Sequence, residues 1–150
     1  GDSLPPNPTF SIARIAGKIA HPLVMQRRNL FLQTIAAINE MLMAGLPDQA
    51  LMLHVCQELI RGDLFRMAWV GMVDENGASV RPVAEAGFGA GYLAQANIRC
   101  DDSPRGQGPT GTAIRESRYV ICNDTEADPH FAPWRERART LGYRSSAAFP

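Results

Sequence analysis

Phe65–Val73 reads FRMAWVGMV, Asp74-Glu75-Asn76-Gly77 follows, and Ser79–Ala86 (SVRPVAEA) returns. The first run is apolar on both faces, which predicts a strand covered on both sides. Asn76-Gly77 supplies the positive φ angles of a hairpin turn. The second run is the returning strand, and Pro82 places it at an edge or a bulge because proline donates no ladder hydrogen bond.

Outward from this hairpin, two helices are predicted before it. From about Leu23 to Ala44, Phe31, Ile35, Ile38 and Leu42 recur at spacings of 4, 3 and 4, with Leu30, Thr34, Ala37 and Met41 as a flanking stripe. That is an amphipathic helix with a seam near the 3.5-residue repeat, covering about two heptads. Packing on its own domain and pairing with a second copy are both open. Gly45 and Pro47 close this helix and open the next. There Met52, Val55, Cys56 and Leu59 mark a buried face and Gly62 is a C-cap. Before them, residues 1–22 are read as a tail or linker: Pro5, Pro6 and Pro8 break structure, and a short helix fits Ser11–Ala20.

After the hairpin come a glycine-rich break at Gly87–Gly91, a short helix at Tyr92–Asn97 and a long loop at Arg99–Thr112. Loops of that length in compact domains are often functional. A short helix at Thr110–Ser117, a strand at Tyr119–Cys122, a helix at Phe131–Leu141 ended by Gly142 and an extended stretch at Arg144–Phe149 complete the chain. Helices packed on an antiparallel sheet make this an α+β domain.

Composition sets the outer limits. The chain has 150 residues, room for one ordinary domain, and 45 % hydrophobic with 20 % charged residues is globular composition. Fifteen basic residues balance fifteen acidic ones, so the basic excess of a nucleic-acid binder is missing. No apolar run approaches the roughly 20 residues that cross a bilayer. Cys56, Cys100 and Cys122 form no CxxC pair, and His21, His54 and His130 are scattered, so neither a disulfide framework nor a zinc site is expected. A cytoplasmic protein is the expectation, with no nucleic acid and no membrane segment.

Four motifs in order, FRMAWVGMVDENG, VRPVAEAG, GPTGTAIRESRYVICND and DPHFAPWRERARTLGYRSSAAFP, resemble a GAF domain over about residues 25–150. They are most similar to GAF domains beside diguanylate cyclase, cyclic-di-GMP phosphodiesterase or histidine kinase modules of bacterial signalling proteins. The resemblance implies a PAS-like fold: a central antiparallel sheet of about six strands with helices packed on it and a ligand pocket on the other side. It assigns residues 23–150 to the domain. In the family further strands and a C-terminal helix follow the strand near Arg144, and the final strand pairs with the first. A C-terminally truncated domain is therefore expected, with an open edge on Phe65–Val73 that pairs with another chain or disorders.

The same resemblance points to a pocket built by Met67 and Trp69 from the sheet, Tyr92 on the short helix, Phe131 and Trp134 on the later one, and Tyr143 and Ser145 entering the last strand. Thr112, Asp124 and Arg144 are its polar partners. Aromatic walls with few polar groups suit a small-molecule cavity, though aromatics at helical spacing also fill cores. Asp124 equally fits a turn cap. Arg135, Arg137, Arg139 and Arg144 around Glu136 form either a solvated face or an anion site. Gly106–Thr112 lacks the Gly-Lys-Ser/Thr ending of a phosphate-binding loop.

Family signatures narrow the ligand by what is missing. The asparagine-lysine, phenylalanine and aspartate-glutamate signature of cyclic-nucleotide-binding relatives and the cysteine-histidine dipeptide of bilin-binding ones are both absent. Haem would have only His130 as an axial ligand, in a polar turn. The methionine sulfoxide reductase branch uses three cysteines around the pocket. Here Cys100 lies in the matching loop with the carboxylates of Asp101 and Asp102 beside it rather than a cation, and Pro109-Thr110-Gly111 stands where a second thiol belongs. The cofactor stays unknown. The expectation is a non-catalytic sensory or regulatory domain that binds an unidentified small molecule, dimerises through helix 23–44, or both, to control an attached effector. A ligand-free dimerisation or spacer module is the alternative, and a reductase the third.

Overall fold

The computed structural model describes residues 22–45, 48–61, 63, 65–89 and 91–150. The expected tail, the helix at Ser11–Ala20 and the roles read for Pro47 and Gly62 lie outside the described residues. The elements are α1 (Pro22–Met43), α2 (Asp48–Arg61), β1 (Met67–Val73), β2 (Val80–Gly87), α3 (Tyr92–Ala96) and α4 (Pro109–Glu116), followed by β3 (Val120–Cys122), a 3-10 helix (Pro129–Trp134), α5 (Arg135–Leu141) and β4 (Ser146–Ala148).

β1 and β2 pair antiparallel, from Met67 opposite Gly87 to Val73 opposite Val80. The register shifts between Val70 and Gly71, opposite Ala84 and Pro82, so Val83 is the extra residue of a bulge. Pro82 sits where a ladder donor is dispensable. In the connecting turn Asp74 is the organiser. Its Oδ1 accepts from the N–H groups of Ala78 at 3.0 Å and Ser79 at 3.2 Å, which lowers its pKa. Gly77 alone takes a positive φ there, 69°, so the turn is longer than a two-residue Asn-Gly loop. Ile98–Cys100 then joins the start of β2 through one bridge, Ser79 to Arg99.

The second ladder is β3–β4, from Val120 opposite Ala148 to Cys122 opposite Ser146. Four strands in two ladders are thus formed among the described residues, fewer than the six or so implied by the family resemblance. The α+β class holds, with helices over small antiparallel sheets. β1 has β2 as its only ladder partner among them, although α2 covers one face and an aromatic cluster the other.

α2 packs on both strands and α1 packs on α2. In α2, Cys56 is fully buried, and Met52, Val55 and Leu59 share its side. In α1 the inward side is the stripe read as flanking: Thr34 is buried, and Leu30, Ala37 and Met41 are half-buried. Phe31 and Ile35 of the principal stripe are exposed. The two stripes have the same spacing, so periodicity could not rank them.

The expected helix at Phe131–Leu141 is split. Pro133 has no N–H to give an α-helical bond, and residues 129–134 wind as a 3-10 helix before α5 begins.

Candidate functional site

Met67 and Trp69 alternate with Ala68 and Val70 along β1, so both project to the side away from α2. Against them stand Tyr92, Leu93 and Ala96 of α3, Phe131 and Trp134 of the 3-10 helix, Ala138 of α5, Cys122, and Tyr143. Tyr92 and Tyr143 meet edge to face with ring centroids 5.4 Å apart, and Phe131 meets Trp134 at 5.7 Å. The Trp134 Nε1–H donates to the Ala96 carbonyl at 2.8 Å, which fixes the indole between α3 and the 3-10 helix.

Six of the ten residues expected to form the pocket are therefore gathered in one cluster. The other four stand apart from it. Thr112 donates its hydroxyl to the Gln107 carbonyl at 3.2 Å. Asp124 is exposed, and its Oδ1 accepts from Glu126 N–H at 2.9 Å and Ala127 N–H at 3.3 Å, the geometry of a turn cap. Arg144 is exposed, with a guanidinium nitrogen 3.6 Å from a Glu126 carboxylate oxygen. Ser145 is exposed.

The cluster is filled by its own side chains. Beside it lies a hollow of about 110 Å³ lined by Met67, Glu85, Ala86, Gly87 and Gly89. Ordinary ligand pockets hold roughly 300–1,000 Å³. A latch closes this end. The Tyr143 hydroxyl donates to the Phe88 carbonyl, and the Met67 Sδ lies 3.2 Å from that hydroxyl oxygen. The approach requires glycine at 89, since a Cβ there would overlap the Tyr143 hydroxyl, and Gly89 also has φ 127°. Phe88 turns outward, 60 % exposed, beneath the Arg66 guanidinium 5.6 Å from its ring centroid. An open apolar groove of about 420 Å³, lined by Gln49, Ala50, Leu53, Val83 and Ala84, lies on the opposite, helical side. It is larger, but it has a single polar side chain and none of the aromatic walls.

Burial sets the protonation of the cluster. It pushes Tyr92 up to about 12, with Tyr143 beside it adding to the effect, and it raises Tyr143 as well. Cys122 is pushed up to about 11 by burial and then by the Asp128 carboxyl, and burial also raises Cys56. All three thiols are free and buried. A nucleophilic thiol needs the opposite, an electropositive and accessible setting.

The Arg99–Thr112 loop holds itself together in ways that sequence reading missed. Arg115, from α4, donates to the carbonyls of Asp101 at 3.0 Å and Gly106 at 2.5 Å. Arg99 forks onto Asp101, holding that carboxyl well below the usual range together with the Ser103 hydroxyl. A second missed residue is Thr125, 1 % exposed, which ties the Asp124 turn to the cluster: its hydroxyl donates to the Tyr143 carbonyl at 2.8 Å and its N–H to the Arg144 carbonyl at 3.0 Å. A small polar residue directly after Asn123-Asp124 was the available signal. His130 is exposed, with its backbone N–H on Asp128 Oδ1 at 2.8 Å.

No helix among the described residues is long and apolar enough to cross a membrane. The family model for the GAF domain matches residues 46–150. No curated protein and no solved structure matches the chain.

Proposed function

This chain belongs to the GAF domain family, a family of sensory and regulatory domains, and from that membership we propose a non-catalytic module that receives a small ligand at the aromatic cluster and passes the change to an attached effector of a bacterial signalling protein. One observation supports the ligand reading above the rest. Met67, Trp69, Tyr92, Phe131, Trp134 and Tyr143 converge on one face of the β1–β2 hairpin beside a hollow, and one tyrosine hydroxyl on the Phe88 carbonyl closes that end. Breaking such a hydrogen bond costs about 0.5–1.5 kcal/mol net, well within what a ligand supplies. Entry then parts Tyr143 from Phe88 and enlarges the hollow, and α3 and α5, which carry the cluster walls, shift with it. The signal cannot exceed the ligand's differential affinity for the closed and opened arrangements.

The thiols favour the non-catalytic reading, because burial keeps Cys56 and Cys122 protonated. The filled cluster favours a second reading, a spacer that dimerises through α1 and takes no ligand. A thermal-shift screen of metabolites and nucleotides at millimolar concentration separates the two, since a ligand of the native state raises the melting temperature. The sensory reading expects a hit whose shift shrinks in Trp69→Leu and persists in the surface variant Arg118→Ala. Silence across the screen leaves the spacer. Reduction of methionine sulfoxide by the purified chain would overturn both.

A further inference from the structure

Resting on the reading that a ligand enters beside the aromatic cluster, we infer that this ligand is a free α-amino acid with a short side chain, its ammonium on Glu85 and its carboxylate on Arg66. Glu85 stands opposite Trp69 in the β1–β2 ladder, on the side of the hairpin that carries the cluster, and it lines the hollow. Arg66 directly precedes β1. Its guanidinium lies over the Phe88 ring and beside Gly142, the C-cap of α5, at the end that the Tyr143–Phe88 latch closes. Both charges act on the Tyr143 hydroxyl: burial is the main cause of its raised pKa, the Arg66 cation opposes it and the Glu85 carboxylate reinforces it. Both side chains are exposed, and among the described residues neither forms an ion pair, with the other or with any third group.

Charge selects the class of ligand. An unpaired carboxylate on the hollow draws a cation, and a free guanidinium fork matches a carboxylate. A simple amine meets the like charge of Arg66 and a simple acid that of Glu85, whereas a molecule carrying both groups satisfies both. Because the two charges flank one hydroxyl, the ligand's own two must sit close together, as on a single α-carbon. Size narrows the choice further. The hollow holds about 110 Å³, against the roughly 300–1,000 Å³ of pockets for drug-sized ligands, so only a few heavy atoms enter beside Met67. Glycine keeps even this space open: a Cβ at 87 would overlap the Arg66 carbonyl, and one at 89 the Tyr143 hydroxyl. A ligand seated there joins the hairpin end to α5 through Arg66 beside Gly142, and to α3, whose Tyr92 N–H donates to the Gly89 carbonyl at 2.8 Å.

The test uses the full chain with L-alanine, L-serine and L-valine as probes, read by calorimetry, melting temperature and tryptophan emission. At least one of the three is expected to bind, to raise the melting temperature and to change the emission. Its amide, which keeps the ammonium, and its N-acetyl derivative, which keeps the carboxylate, are each expected to bind at least about tenfold more weakly. Glu85→Gln and Arg66→Gln, both at exposed positions, are each expected to weaken the amino acid at least about tenfold with the circular dichroism spectrum retained, while Arg118→Ala leaves its affinity unchanged. A derivative that binds as tightly as the amino acid, or an amino acid whose affinity either glutamine variant leaves unchanged, overturns the inference. Silence of all three amino acids overturns it too. In that case a hit of another class in the metabolite screen, with changed tryptophan emission, leaves the ligand reading standing, and silence across the whole screen removes that reading as well.

Discussion

Gly108→Ala is a substitution whose sign is decided by the aromatic cluster alone. Gly108 has φ −71° and ψ 176°, extended backbone that alanine adopts without strain. On backbone grounds the change is stabilising by about 0.4–1 kcal/mol, because it narrows the unfolded ensemble. A Cβ at this position, however, would stand 2.5 Å from Trp134 Cη2 and still nearer to Cζ3. The indole cannot retreat freely: it is 7 % exposed, and its Nε1–H is held by the Ala96 carbonyl. Overpacking costs about 1–3 kcal/mol, and losing the indole bond would add about 1 kcal/mol. A net destabilisation of about 1–3 kcal/mol is therefore expected. Urea denaturation followed by tryptophan fluorescence and by circular dichroism measures it, with near-ultraviolet dichroism reporting the displaced indole. A variant as stable as the parent, or more stable, with an unchanged near-ultraviolet spectrum would show that Trp134 does not lie over Gly108 and would refute the packing described here.

Three further outcomes follow from the same geometry. Thr125→Val keeps the shape but orphans the Tyr143 carbonyl inside the fold, and a loss of about 1–3 kcal/mol in urea denaturation is expected, whereas exposed Ser145→Ala stays near zero. Folding raises the pKa of Tyr92 to about 12, so between its ordinary value of 10 and 12 the unfolded chain releases a proton that the native state keeps. Stability at that site is intact below pH 10 and falls as pH rises above it, and Tyr92→Phe should flatten this slope in alkaline melts. At pH 8 a thiol-reactive disulfide reagent should leave Cys56, Cys100 and Cys122 unmodified until the chain is unfolded, when all three react; rapid native labelling of any of them would contradict their burial.

Much of this fold was legible wherever a local rule had no competitor. The apolar run at Met67–Val73, the Asp74–Gly77 turn and the bulge beside Pro82 follow from apolar patterning, turn chemistry and a missing donor. So does the end of α5 at Gly142, with φ 73°. Where two features shared one period, sequence could not choose, and in α1 Phe31 and Ile35 of one stripe turned outward with Ile38 half-buried, while the stripe with Thr34 turned in. Pro133 was visible, yet the helix was read through it. Resemblance picked out the aromatic residues of the cluster. Whether they enclose space or fill it depends on contacts between residues far apart, such as Trp134 with Ala96 or Tyr143 with Phe88, and no local pattern encodes these. Arg115 was overlooked for the same reason: its carbonyl partners lie nine and fourteen residues away.

The central claim is that a small molecule enters the aromatic cluster, and the chain carries its own reporter for this. Its two tryptophans, Trp69 and Trp134, both belong to that cluster. A fluorescence titration with any ligand that raises the melting temperature should change the tryptophan emission with the same dissociation constant as calorimetry. A ligand that binds and stabilises the chain while leaving the emission of both indoles untouched would place the binding site elsewhere and contradict the account.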